Sequence, residues 1–168
     1  MSFQLTEIAV NAIITRIQAN IVAELAAVAT ARGDGKTNLP APQAYFFFES
    51  ELNYRKPAVF VIAEGLDTTL ERGANHLNTF HDINVTVVIE DSIERDLTLA
   101  CWRYQVAMMN ILHLTQLSGP SLQSKMIVKV VGAKYSPLYT EDSKKNTAAA
   151  VFCKEVQLNL KVEHYEPL

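Results

Sequence analysis

The sequence predicts an α+β fold: a single domain over residues 1–168, with a mixed or mainly antiparallel sheet of about five strands and two long helices packed on one of its faces. Three observations carry this. Residues 79–90 alternate cleanly and run straight into a helical pattern that extends to Leu114. The first thirty residues read as one long alanine-rich helix, and residues 152–163 alternate as strictly as 79–90 do. The element order that results is α-β-β-β-α-β-β.

Residues 5–32 form the first helix. Ile14, Ile17, Ile21, Leu25 and Val28 make its apolar stripe, and the alanines at 26, 27, 29 and 31 favour helix and allow close packing. Gly33 stands where a C-cap glycine is expected, and Pro40 and Pro42 keep the helix from resuming. Gly33-Asp34-Gly35-Lys36 lacks the glycine spacing of a phosphate loop and reads as a turn.

Two strands follow. Residues 44–49 are short and aromatic, with Phe46, Phe47 and Phe48 in a row; residues 58–63 are continuously apolar, as a strand buried on both faces requires. Arg55 and Lys56 sit in a polar connection between them. Residues 64–78, polar and containing Glu71 and Arg72, are either a long loop or an extended hairpin projecting beyond the sheet.

In the third strand Ile83, Val85, Val87 and Ile89 share one face. Asp91, with Glu94 three residues on, is expected to cap the second helix. Its stripe is Ile93, Leu97, Ala100, Tyr104, Met108 and Ile111. A second stripe of Trp102, Val106 and Met109 leaves only a narrow wet seam at Arg95, Asp96, Arg103 and Asn110. A helix this apolar is covered on more than one side, by another element or another subunit. Gly119-Pro120 marks its stop. Residues 126–131 form the fourth strand, running on towards Tyr135. The charged connection 136–146, with Glu141, Asp142, Lys144 and Lys145, reads as a solvated hairpin tip, and residues 152–163 form the last strand.

The totals restrict function. A net charge of −3 argues against a surface devoted to gripping nucleic acid, although it suits a wall that DNA slides past. Cys101 and Cys153 have no metal-like spacing and read as buried, reduced thiols. Neither a signal peptide nor an apolar run approaching the ~20 residues of a membrane span is evident, which predicts a soluble protein. His76, His81, His113 and His164 show no ligand spacing, and His81-Asp82 are strand neighbours that point to opposite faces. His113 reads as a cation at a helix C-terminus. With no nucleophile, nucleotide or metal motif, no catalytic residue, cofactor or metal ligand is assigned.

The order of elements nevertheless resembles a known family. A long N-terminal helix, the Pro40-Ala41-Pro42 turn into an aromatic strand, the Pro-Ala-Val-Phe-Val strand from Pro57, a long hairpin, a strand–helix unit and a closing hairpin look like the tail terminator (tail completion or neck) proteins of long-tailed bacteriophages. The resemblance covers nearly the whole chain. It implies a non-enzymatic virion protein, assembled in the host cytoplasm, that forms a hexameric ring at the head-proximal end of the tail. Such a ring caps the tail tube protein, stops its polymerisation, offers the surface for the head connector or adaptor, and lets DNA through its lumen without specific binding. Arg55, Lys56, Glu71, Arg72, Trp102, Glu141, Asp142, Lys144 and Lys145 are then the candidate interface residues. Another head–tail adaptor, a tail tube subunit, or a small α+β enzyme or ligand-binding domain with a pocket built from distant residues stay open as alternatives.

Overall fold

A computed structural model describes residues 5–35, 39–48, 54–69, 76–118, 124–140 and 151–167. In chain order its elements are α1 (Leu5–Arg32), β1 (Ala44–Phe46), β2 (Ala58–Thr69), β3 (His76–Asp91), α2 (Glu94–Leu112), β4 (Thr115–Ser118), β5 (Lys125–Tyr135), β6 (Tyr139–Thr140) and β7 (Phe152–Pro167). Among the described residues the sheet has seven strands rather than five, in the order β1-β2-β3-β7-β5-β4, with β6 also beside β7. β1 and β2 run parallel; β2–β3, β3–β7, β5–β7, β4–β5 and β6–β7 are antiparallel.

The inward positions of β3 (Ile83, Val85, Val87, Ile89) and β7 (Val156, Leu158, Leu160, Val162) are buried, as their alternation requires. Together with Val59, Val61, Met126 and Val128 they form one core with residues from both helices, so α1 and α2 lie on the same face of the sheet. Burial in α1 falls on Ala9, Ile13, Ile17, Ile21, Leu25 and Ala29, a step of four residues. At 3.6 residues per turn such a stripe drifts by about 40° per step and spirals around the helix. Ile13 and Ile17 are inaccessible, while Ile14 is half-buried against the core. The drift makes α1 apolar over much of its circumference. By length and composition its 28 residues, with a mean hydropathy of 1.4 over the best window, suffice to cross a bilayer, contrary to the sequence expectation. In the fold the spiral stripe packs on the sheet and α2.

Gly33, at φ +61, ends α1 by donating its N–H to the Ala29 carbonyl at 3.3 Å, the left-handed C-cap expected of it. The start of α2 differs from expectation. Ile93 is the N-cap residue and offers no side-chain cap; the Asp91 carboxylate instead accepts the Ile93 N–H at 3.0 Å, fixing the turn two residues ahead. The end differs too. The chain turns at Leu114, in the left-handed region at φ 56, and at once forms β4, which sequence reading missed. Gly119-Pro120 lies outside the described residues. Within the 64–78 segment, the described residues extend the β2–β3 ladder beyond the apolar run, β2 reaching Thr69 opposite Asn78 and β3 beginning at His76.

The opposite face of the sheet carries a small apolar cluster of Ala58, Phe60 and Val88, with Phe46 stacked on Phe60 (centroids 5.0 Å apart) and Tyr54 edge-on to it at 5.1 Å. Elsewhere that face is polar: Asp82, Asn84 and Thr86 of β3 stand opposite Lys161, Asn159 and Gln157 of β7.

Val87 is fully buried between Val59 of β2 and Val156 of β7. Val87→Asp will place an unpaired charge there, costing about 4 kcal/mol or more of a total stability near 10 kcal/mol. Val87→Ala will cost roughly 2 kcal/mol and keep the fold. Urea unfolding followed by circular dichroism measures both.

Candidate functional site

The predicted interface residues divide into three groups. Arg55 and Trp102 are exposed, Trp102 by 50%. Glu71, Arg72, Glu141, Asp142, Lys144 and Lys145 lie outside the described residues. Lys56 departs from a solvated loop position: only 9% exposed, it puts its ammonium 3.9 Å from the Glu90 carboxylate, 3.6 Å from Cys153 Sγ and 5.3 Å above the Tyr54 ring. A buried cation needs such partners, so this lysine ties the β1–β2 connection to the β3–β7 pair instead of facing outward.

Of the seam expected on α2, Arg95 and Asn110 are exposed and Asp96 is half-buried, whereas Arg103 is internal. Arg103 is 5% exposed and pairs with Asp34, while Tyr104, fully buried, donates its hydroxyl to the Pro40 carbonyl. These two contacts clamp the 33–42 connection to the middle of α2. Burial raises the Tyr104 pKa. Of the second apolar stripe, Val106 and Met109 pack against the core, and Trp102 stays outside. Ile93 is exposed by 55%, and Cys101, which sequence reading left out of the stripe, is fully buried. Between the helices a groove of about 330 Å³ is lined by Ala27, Val28, Ala31, Arg32, Val106 and Asn110.

Two histidines far apart in sequence meet inside. His81 and His164, both nearly inaccessible, stack with centroids 6.2 Å apart and planes 27° from parallel. Thr6 Oγ1 lies 3.4 Å from His81 Nδ1, and the Ser124 hydroxyl pairs with His164 Nε2. Burial first, then the neighbouring His164, pushes His81 down to about 4, while Asp82 acts in the opposite direction. Asp82 itself is exposed on the other face, so it and His81 make no dyad. The meeting depends on the β3–β7 register, which sets Thr79 opposite His164, and nothing local in the sequence reports that register. His113, the C-cap residue of α2, takes the Val130 N–H on its Nδ1 at 3.3 Å.

Both cysteines are buried free thiols, and burial pushes Cys101 up to about 12. Of the phenylalanine triplet, Phe46 belongs to the outer cluster, while Phe47 and Phe48 are exposed by 66% and 48%. Among the described residues no three His, Cys, Asp or Glu side chains converge to hold a metal. What remains on the surface is suited to contact: Trp102, Ile93, Phe47, Phe48, Leu66 and Val131 are large, apolar and at least 48% exposed.

This is a two-layer α+β fold with large apolar side chains exposed at its surface. No family model matches the chain, and no curated protein matches it. Among solved structures, a chain of the virion of a native gene transfer agent particle shares its fold, with a TM-score of 0.58 over 98% of this chain and 99% of that one, at 12% identity.

One consequence of the buried histidines is a pH-dependent stability. His81 titrates at about 4 in the fold and near 6.5 when unfolded, so between these values the unfolded chain binds more protons. Stability is full above pH 6.5 and falls as pH drops towards 4, by about 3 kcal/mol in all. His81→Leu will flatten this part of the profile, as read by urea unfolding at pH 7, 6 and 5.

Proposed function

We propose that the protein is a structural component of a virion, and specifically a tail terminator: a subunit of a ring, hexameric by family resemblance, at the head-proximal end of the tail. The observation that carries this reading is the end-to-end correspondence of fold with a chain of a gene transfer agent virion, covering 98% and 99% of the two chains, in a molecule whose element order already resembles that family. In this reading residues 1–168 act as one domain. The ring sits on the last layer of tail tube protein, ends its growth, and presents its other side to the head connector.

The surface fits such a role. Large apolar side chains stand on several sides, at Trp102 on α2, Phe47 and Phe48 beyond β1, Leu66 on β2 and Val131 on β5, so more than one neighbour can be engaged at once. The net charge of −3 gives a passing DNA duplex no basic surface to adhere to. Arg55 and Trp102 are the described contact candidates, while Lys56 supports the fold from within.

Light scattering across protein concentration, with and without purified tail tubes, tests this. The expected result is a hexameric mass, free or on addition of tubes, together with tubes that stop elongating and show a ring at one end by electron microscopy. A concentration-independent monomer that leaves tube growth unchanged overturns the reading.

A further inference from the structure

One end of the core is closed by polar side chains instead of apolar ones. His81 on β3 and His164 on β7 are 0% and 1% exposed, and their rings stack across the ladder. Thr79, on the same face of β3, is 1% exposed. The first turn of α1 lies over this end, with Thr6 Oγ1 3.4 Å from His81 Nδ1. Ala9 and Val10 of the next turn join the core.

These surroundings suit a neutral imidazole at position 81. A neutral ring carries one N–H and one bare nitrogen. With its proton on Nδ1, facing the Thr6 hydroxyl, His81 keeps Nε2 as a bare acceptor. A second proton turns Nε2 into a buried donor, and Nε2 has no hydrogen-bond partner among the described residues. The same proton sets a cation beside another histidine and against the N-terminal end of α1, where the helix dipole is positive.

Among the described residues no counter-charge stands on this face of the sheet. The neighbouring positions are Thr79 and Ile83 on β3, Val162 on β7, Met126 and Ser124 at β5, and Leu66 on β2. β4 carries no charged residue, and Glu7 of α1 and Glu64 of β2 are exposed. Asp67, Asp82, Lys125, Lys161 and Glu163 occupy positions of the opposite face, where Glu163 takes Lys129 at 3.4 Å.

We propose that this histidine pair is an acid-sensitive latch for the start of α1. On protonation the turns that carry Thr6, Ala9 and Val10 leave the sheet, and water reaches the two rings. The β3–β7 ladder stays paired, because its inward positions from Ile83 to Ile89 are apolar and do not titrate. Magnitude decides between this local opening and loss of the whole fold. His81 titrates at about 4 in the fold and at 6.5 in water, which multiplies the open population by about 25 between pH 7.5 and pH 5. That factor is large for a helix end, whose opening is among the least costly in a fold, and small against the equilibrium constant of global unfolding. Ala9 and Val10 come out of the core, so the acid form displays apolar surface at this end. The latch belongs to the single chain and stands apart from the ring reading.

Native-state hydrogen exchange of the full chain at pH 7.5, 6 and 5, corrected for the intrinsic pH dependence of amide exchange, tests this. The amides of residues 9–13 bond to the carbonyls of 5–9, and turns lifted from the sheet are not stable as helix, so these amides report the latch. They are expected to exchange faster than those of residues 83–89 at every pH, to be insensitive to low urea, and to lose about 25-fold in protection between pH 7.5 and pH 5. In His81→Gln the pH dependence over residues 9–13 is expected to vanish. Imidazole NMR of the wild type gives a second reading that needs no variant: His81 is expected to titrate well below 6.5. Four results overturn the latch: residues 9–13 that open only together with 83–89, protection there that ignores pH, a His81→Gln protein that keeps the wild-type profile, or a His81 that titrates at 6.5 while residues 9–13 stay protected.

Discussion

The pairing of β3 with β7 is the constraint on which the structure depends. It runs without interruption from His76 opposite Pro167 to Asp91 opposite Phe152, joining segments far apart in the chain. Such a ladder admits one register, because a slip of one residue would turn Val85, Val87, Leu158 and Leu160 out of the core. β2 adds to one side of this pair and β5 to the other. The helices then cover the face on which Val59, Val61, Val85, Val87, Leu158, Leu160, Met126 and Val128 form the core. The two β-bulges, at Ala63/Gly65 and Val130/Gly132, fall on the outer strands and leave the central ladder regular.

Several charged and polar side chains are enclosed as a result, and their partners come from distant parts of the chain. Lys56 finds Glu90 and Cys153, and Arg103 finds Asp34. Each pair is costly to desolvate and more costly to break, so it fixes where a connecting segment lies more than it adds to stability. The two histidines are the exception in kind. His81 is accommodated by remaining neutral, which makes that end of the core sensitive to acid.

The distribution of surface chemistry follows from the same topology. β1 and β4 are short, so among the described residues they cover only opposite ends of the outer strands. A sheet this exposed at its edges invites association.

What could be read from the chain alone was whatever depends on neighbours within a few residues. The alternation in β3 and β7, the C-cap at Gly33, the extent of α1 and the apolar 58–63 run are all local signals, and the structure bears them out. β4 and β6 were not legible. They are two to four residues long, too short for a period to register, and the turn into β4 is made by Leu114, a residue with no turn signature. The inward turn of Lys56 and Arg103 was hidden for a different reason: a charged residue is assigned to solvent unless its counter-charge is in view, and here that lay 34 and 69 positions away. The meeting of His81 with His164 depends on strand order and register. Those are set by long-range pairing, so only the tertiary structure decided them.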